Sequence, residues 1–172
     1  MFFINLLYVI CAEVKERPTF EKYKTSLQYK GKAKLDLKSH KEGRLYRTVL
    51  RNGVKKGANF AGQYAVIENG CGTNCQLNWI VNLKTGKIIA QLQTTRSVKF
   101  RIDSSLIIIE PLLEYILEEY KNESKDIIPA TVSCVPYVSY AIIKGDKLHY
   151  IYKEKVMDML NANNFSADQI LR

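Results

Sequence analysis

The chain has 172 residues, 47% of them hydrophobic and 25% charged, and its 26 Lys and Arg outnumber its 17 Asp and Glu. This is one globular domain with enough apolar residues for a real core, and the composition excludes a low-complexity chain. No run reaches the roughly 18 apolar residues of a membrane-spanning helix; the nearest, Leu106 to Leu117, is interrupted by Glu110, Pro111 and Glu114.

The first twelve residues, MFFINLLYVICA, hold no charge and end at Ala12 just before a charged run. They predict a secretory signal segment over 1–12, although no basic residue precedes the apolar stretch, followed by a single domain over 13–172. The competing reading is a buried N-terminal strand. A lipid-anchored start is disfavoured, because Ile10 before Cys11 is bulky where such signals use a small residue. On the first reading the protein is periplasmic or secreted.

Three helices are predicted. Ser39-His-Lys-Glu42 reads as a capping box, with Leu45, Val49 and Leu50 forming a stripe up to Gly53, which places a helix over 40–51. Pro111 suits the first position of a helix carrying Leu112, Leu113, Ile116, Leu117 and Tyr120 over 111–122. A last helix over 153–161 carries Val156, Met159 and Leu160.

Between these helices, turn residues fix hairpin registers. A three-residue loop at Gly72-Thr-Asn74 sets Cys71 opposite Cys75, Ile67 opposite Trp79 and Ala65 opposite Val81. A Thr85-Gly86 turn sets Leu83 opposite Ile88, Val81 opposite Ala90 and Trp79 opposite Leu92. An Asp103-Ser104 turn sets Phe100 opposite Ile107 and Val98 opposite Ile109. A Gly145-Asp146 turn joins 137–143 to 148–152. The predicted fold is therefore α+β, an antiparallel β-meander sheet of about six to eight strands with a few packed helices.

Asn59-Phe-Ala-Gly-Gln-Tyr-Ala-Val66, then Gly70-Cys-Gly-Thr-Asn-Cys75, the strand–Thr-Gly-Lys–strand unit, and Phe100-Arg-Ile-Asp-Ser-Ser-Leu-Ile-Ile-Ile109 form a pattern. It resembles a family of small secreted or periplasmic bacterial proteins without an established activity. Cys134-Val-Pro-Tyr137 with the strand and Gly-Asp turn after it fits the same resemblance. No catalytic residue is implied by it, and the acidic stretch 111–123 has no counterpart in it.

Removing the signal segment would leave Cys71, Cys75 and Cys134, an odd number that permits one intramolecular disulfide. Closing the short Cys71–Cys75 loop is worth about 2 kcal/mol and a Cys75–Cys134 link about 4 kcal/mol by chain entropy. The local register nevertheless favours Cys71–Cys75, because directly paired strand residues lie within disulfide reach. A link to Cys134 is the alternative.

Other chemistry is thinner. Cys71, Cys75 and Cys134 with His40 or His149 could form a zinc set, but the cysteines do not fall into two close pairs, and no metal or cofactor is expected. A cysteine nucleophile at Cys71 or Cys75 would need a base such as His149 or His40. Gly70, Gly72, Thr73 and Asn74 could cradle an anion with backbone N–H groups, although a plain hairpin turn explains them as well. Residues 13–109 carry a net +12 and residues 110–172 a net −3. A basic front half suits an anionic envelope partner or an acidic protein, and equally a solvated surface. No nucleic-acid signature accompanies it. These features favour a non-enzymatic, partner-binding protein of inhibitor-like or accessory type; the alternative is a cysteine-dependent hydrolase or thiol-redox protein using Cys71 or Cys75.

Overall fold

The computed structural model describes residues 16–26, 28–31, 33–111, 137–156 and 158–159. The expected signal segment 1–12, the helix expected over 111–122 apart from Pro111, and Cys134 lie outside them.

Among the described residues, seven strands form two antiparallel sheets, each a meander. The first sheet contains β1 (Tyr64–Gly72), β2 (Cys75–Asn82) and β3 (Ile88–Thr94); the second contains β4 (Val98–Phe100), β5 (Leu106–Ile109), β6 (Tyr137–Lys144) and β7 (Lys147–Lys155). β2, β5 and the middle of β6 are covered on both faces and buried almost throughout, whereas β7 has no fully buried residue. Successive side chains in a strand point to opposite faces. Ala65, Ile67, Leu77, Trp79 and Val81 thus turn outward from the first sheet, against helix α1 (Arg47–Lys55) and the segment before it. Val66 and Ile80 turn the other way and meet Val98, Ile107, Ile109, Ala141 and Ile143 of the second sheet. The far face of the second sheet, with Leu106, Val138, Tyr140 and Ile142, carries Phe20, Tyr23, Val156 and Met159.

The fold is mainly β, so the expectation of a few packed helices is too generous: the described residues contain one full α-helix. The chain over 41–46 is turn, and α1 begins only at Arg47. Ser39 does not cap a helix, because its hydroxyl donates to the Asp36 carbonyl (2.6 Å) and accepts the Ile88 N–H (2.8 Å). Gly53 lies inside α1, where a Cβ would come within 2.5 Å of the Ile67 side chain, so this glycine lets the helix approach β1. The helix expected from Lys153 starts later, at Val156, because Lys153, Glu154 and Lys155 pair with Ser139, Val138 and Tyr137.

Three registers follow the turn residues. Ile67 pairs with Trp79 and Ala65 with Val81; Val98 pairs with Ile109 and Phe100 with Ile107; Ile143 pairs with Leu148 across the Gly145-Asp146 turn. The β2–β3 register does not. Ala90 pairs with Ile80 rather than Val81, and Leu92 with Asn78 rather than Trp79, after an irregularity between Ile80 and Val81. The connection is wider than two residues: the Gly86 N–H donates to the Asn82 carbonyl (2.7 Å), with Gly86 at φ 77°. Ala90 and Leu92 therefore reach the inner face, and Gln91 comes opposite Trp79.

The Asn59–Tyr64 stretch is a structural corner. The Asn59 amide donates to the Val66 carbonyl (2.9 Å) and accepts the Val66 N–H (2.7 Å). Phe60 is fully buried, and Ala61 and Gly62 turn the chain at φ 45° and 70°. Where the two sheets join, the buried Glu110 carboxylate accepts the N–H groups of Thr95 and Arg96 and so holds the β3–β4 turn.

The Tyr64 hydroxyl donates to the Gly145 carbonyl (2.6 Å), tying the start of β1 to the β6–β7 turn. Burial pushes the phenol above its ordinary range. The folded state thus favours the neutral form, and its contribution is complete below the unfolded value near 10 and lost as pH rises through the folded value. Tyr64→Phe is expected to cost about 1 kcal/mol at neutral pH. In urea unfolding, the gap between variant and parent should close above pH about 10.

Candidate functional site

The β1–β2 tip gathers most of the residues that the sequence marks. Cys71 and Cys75 lie at disulfide distance, with their Cα atoms 5.1 Å apart. They are not directly opposed as the simple register requires. Gly72 pairs with Cys75 and Gly70 with Gln76, which leaves Cys71 as the extra residue of a bulge and Thr73-Asn74 as the turn. Asn74 at φ 52° and Gly72 at φ 133° supply the backbone that so tight a return needs. A Cβ placed on Gly70 or Gly72 would meet nothing within 4 Å, so the tip projects clear of the body. Gly70, Cys71, Gly72, Thr73 and Asn74 are exposed, and Cys75 is half-buried.

Beside the tip runs a groove of about 460 Å³. Cys71, Cys75, Leu77, Gln91 and Gln93 line it from the sheet, and Lys41, Glu42 and Tyr46 from the covering segment. It exists because the outer face of the first sheet continues past the end of its cover. Directly below, Trp79 is fully buried; the Tyr46 ring lies 5.0 Å from it and the His40 ring meets it edge-on at 5.1 Å.

Neither histidine joins the cysteines. The His40 ring rests on Trp79, and its Nδ1 accepts the Glu42 N–H (3.3 Å). His149 is exposed on β7, opposite Ile142, three residues from Asp146, whose carboxylate accepts the Asn82 amide (2.7 Å). Asn82 pairs with Tyr64 at the far end of the hairpin, about 23 Å of strand from Cys71. His149 thus lies toward the opposite end of the sheet from the sulfurs, and a general base needs hydrogen-bond reach. Among the described residues, no group of three or more His, Cys, Asp or Glu side chains is placed to hold a metal ion.

The pattern of cysteines and glycines points to the tip but not to the groove. Lys41 and Glu42 fall in the stretch read as a capping box, which points to a helix start and not to a groove, and Tyr46 carries no motif. Gln91 and Gln93 become legible only with the shifted β3 register: polar residues at alternate positions, opposite Trp79 and Leu77, mark where the outer face emerges from its cover. Compared with protein-family models, with curated proteins and with solved structures, the chain matches none of them.

Proposed function

We propose that this is a secreted or periplasmic protein, of the small bacterial family whose asparagine-to-cysteine pattern it resembles, that binds a protein partner and catalyses no reaction of its own. The contact surface would be the β1–β2 tip together with the groove beside it. One observation carries the reading: two cysteines at disulfide distance hold a tip that projects into solvent and opens onto a groove, which neither histidine lines. A cross-linked tip is preorganised, so little ordering cost opposes its contact with another protein.

A second reading, a thiol-redox protein, is favoured by the exposure of Cys71 beside the half-buried Cys75, an arrangement in which one sulfur is open to an incoming thiolate.

Non-reducing peptide mapping should recover a fragment joining Cys71 to Cys75, and the Cys71→Ser/Cys75→Ser double variant should lose about 2 kcal/mol of stability. Envelope extract passed over the immobilised chain should yield a protein whose retention falls on Thr73→Arg and on the double variant. Retention unchanged by both would sink the tip as the contact. Rapid equilibration of the cysteine pair with glutathione would favour the redox reading instead.

A further inference from the structure

The segment 30–56 lies over the outer face of the first sheet, held there by Leu35, Leu37, Leu50 and Val54. Its charges point away from the sheet. Nine of its Lys and Arg among the described residues, from Lys30 to Lys56, are exposed, against two acids, Asp36 and Glu42. The β2–β3 turn joins this layer. Lys84 Nζ stands 5.9 Å from the Tyr29 ring, the Lys87 backbone pairs with that of Asp36 as an isolated parallel β-bridge, and the Asp36 N–H donates to the Gly86 carbonyl (2.8 Å). By sequence, 30–56 together with Lys84 and Lys87 holds twelve basic and two acidic residues, a net +10, against a formal +9 for the whole chain. The rest of the chain carries a net −1.

This distribution is not that of a surface charged for solubility alone, where both signs intersperse. Arg47, Arg51 and Lys55 follow at i, i+4 and i+8 along α1, the spacing at which like charges repel. Apolar side chains also stand on this face. Leu45 is 73% exposed between Arg44 and Arg47 in the chain, and Ile102, 37% exposed, shares a hollow with Lys30 and Lys56. Helix α1 spans the roughly 14 Å between these two places.

We propose that this face docks on an anionic phospholipid surface, with its lysines and arginines against the headgroup phosphates and Leu45 inserted at the acyl boundary. A basic face with a projecting leucine suits a lipid interface. A nucleic acid would have no use for Leu45, and the tyrosines of this layer do not offer free stacking platforms: Tyr46 rests on Trp79, and Tyr29 stands beneath Lys84. The surface is separate from the cysteine tip, so the inference stands or falls independently of the partner-binding reading.

Vesicle flotation with the full chain tests it. Vesicles of phosphatidylcholine containing about one third phosphatidylglycerol should bind the protein at low salt, and pure phosphatidylcholine should not. Salt of about 0.5 M should release it. The triple variant Arg44→Gln/Arg47→Gln/Arg51→Gln should weaken binding roughly a hundredfold, and Leu45→Ser about tenfold. All these side chains are exposed, and unchanged circular dichroism would show that the fold survives. In Leu45→Trp, the added fluorescence should shift to the blue on phosphatidylglycerol vesicles. No binding would overturn the proposal. So would binding to both vesicle types that ignores salt and the arginine changes, which would implicate another part of the chain such as the apolar 1–12. Binding that Leu45→Ser leaves intact and duplex DNA competes away would assign the face to nucleic acid.

Discussion

Trp79→Ala is expected to destabilise the protein by about 3–5 kcal/mol, a large part of the total stability of an ordinary domain. Trp79 is fully buried at the centre of the outer core, in a cluster with Leu50, Ala65, Ile67, Leu77, Val81, Leu83 and Ile88. Truncation would empty the floor beneath His40 and Tyr46, whose rings both rest on the indole. The indole Nε1 meets no acceptor among the described residues, so the wild type already carries the cost of a buried donor. Trp79→Phe removes that donor while keeping most of the volume, and should cost only about 1 kcal/mol. Denaturant titrations of the two variants by circular dichroism check this ordering. Equal losses would mean that the N–H is satisfied in solution.

Gly86→Ala is expected to cost about 3 kcal/mol or more, although it adds a single methyl group. Gly86 sits at φ 77°, and a Cβ there would stand 2.0 Å from the Lys34 carbonyl oxygen and 2.8 Å from its carbon. Those are backbone atoms, held by the Asp36–Gly86 hydrogen bond and by the Ala33 N–H donating to the Leu83 carbonyl (2.9 Å). They cannot swing aside as a side-chain end would. Gly145→Ala provides the comparison. It shares the left-handed backbone, at φ 56°, but its Cβ would meet nothing within 4 Å. It should therefore cost only the conformational strain, about 1–2 kcal/mol. Melting temperatures should separate the pair clearly, and similar values would show that the 33–36 segment yields.

What could be read in the chain depended on whether local chemistry alone decides the structure. The Gly145-Asp146 turn is tight, so the residues beside it set the register of β6–β7. β4–β5 keeps its expected register across a five-residue connection, 101–105, although that connection is bonded to the distant 20–25 segment. The Thr85-Gly86 turn is not tight, because Gly86 is drawn into contact with a segment fifty residues earlier, and the register beyond it moves by one. Ser39 misled for a similar reason: a serine ahead of a glutamate resembles a helix start, but its hydroxyl serves Asp36 and the distant Ile88. Nor does a run of hairpins reveal where one sheet ends and a second begins. That break is made at Thr94–Ser97, where Glu110 holds the turn from fourteen or more residues away. The cysteine tip was legible because its geometry is local. The groove was not, since it needs the β3 register and the position of the 41–46 cover together. The basic face lay half in view: the excess of lysine and arginine is plain from composition, but only the folding of 30–56 into one layer turns it into a surface.

Asn59 bears on how the molecules behave toward one another in concentrated solution. β1 is an edge of its sheet, and an open edge is where identical chains zip together into aggregates. By engaging both backbone groups of Val66, the Asn59 amide occupies the place that a neighbour's strand would take. Beyond that point the edge offers Glu68, exposed and charged, before the bulge at Cys71 bends the strand away. Two copies aligned antiparallel about this position would have to bring their Glu68 carboxylates together, so a single amide and a single carboxylate guard the strand against fibril growth.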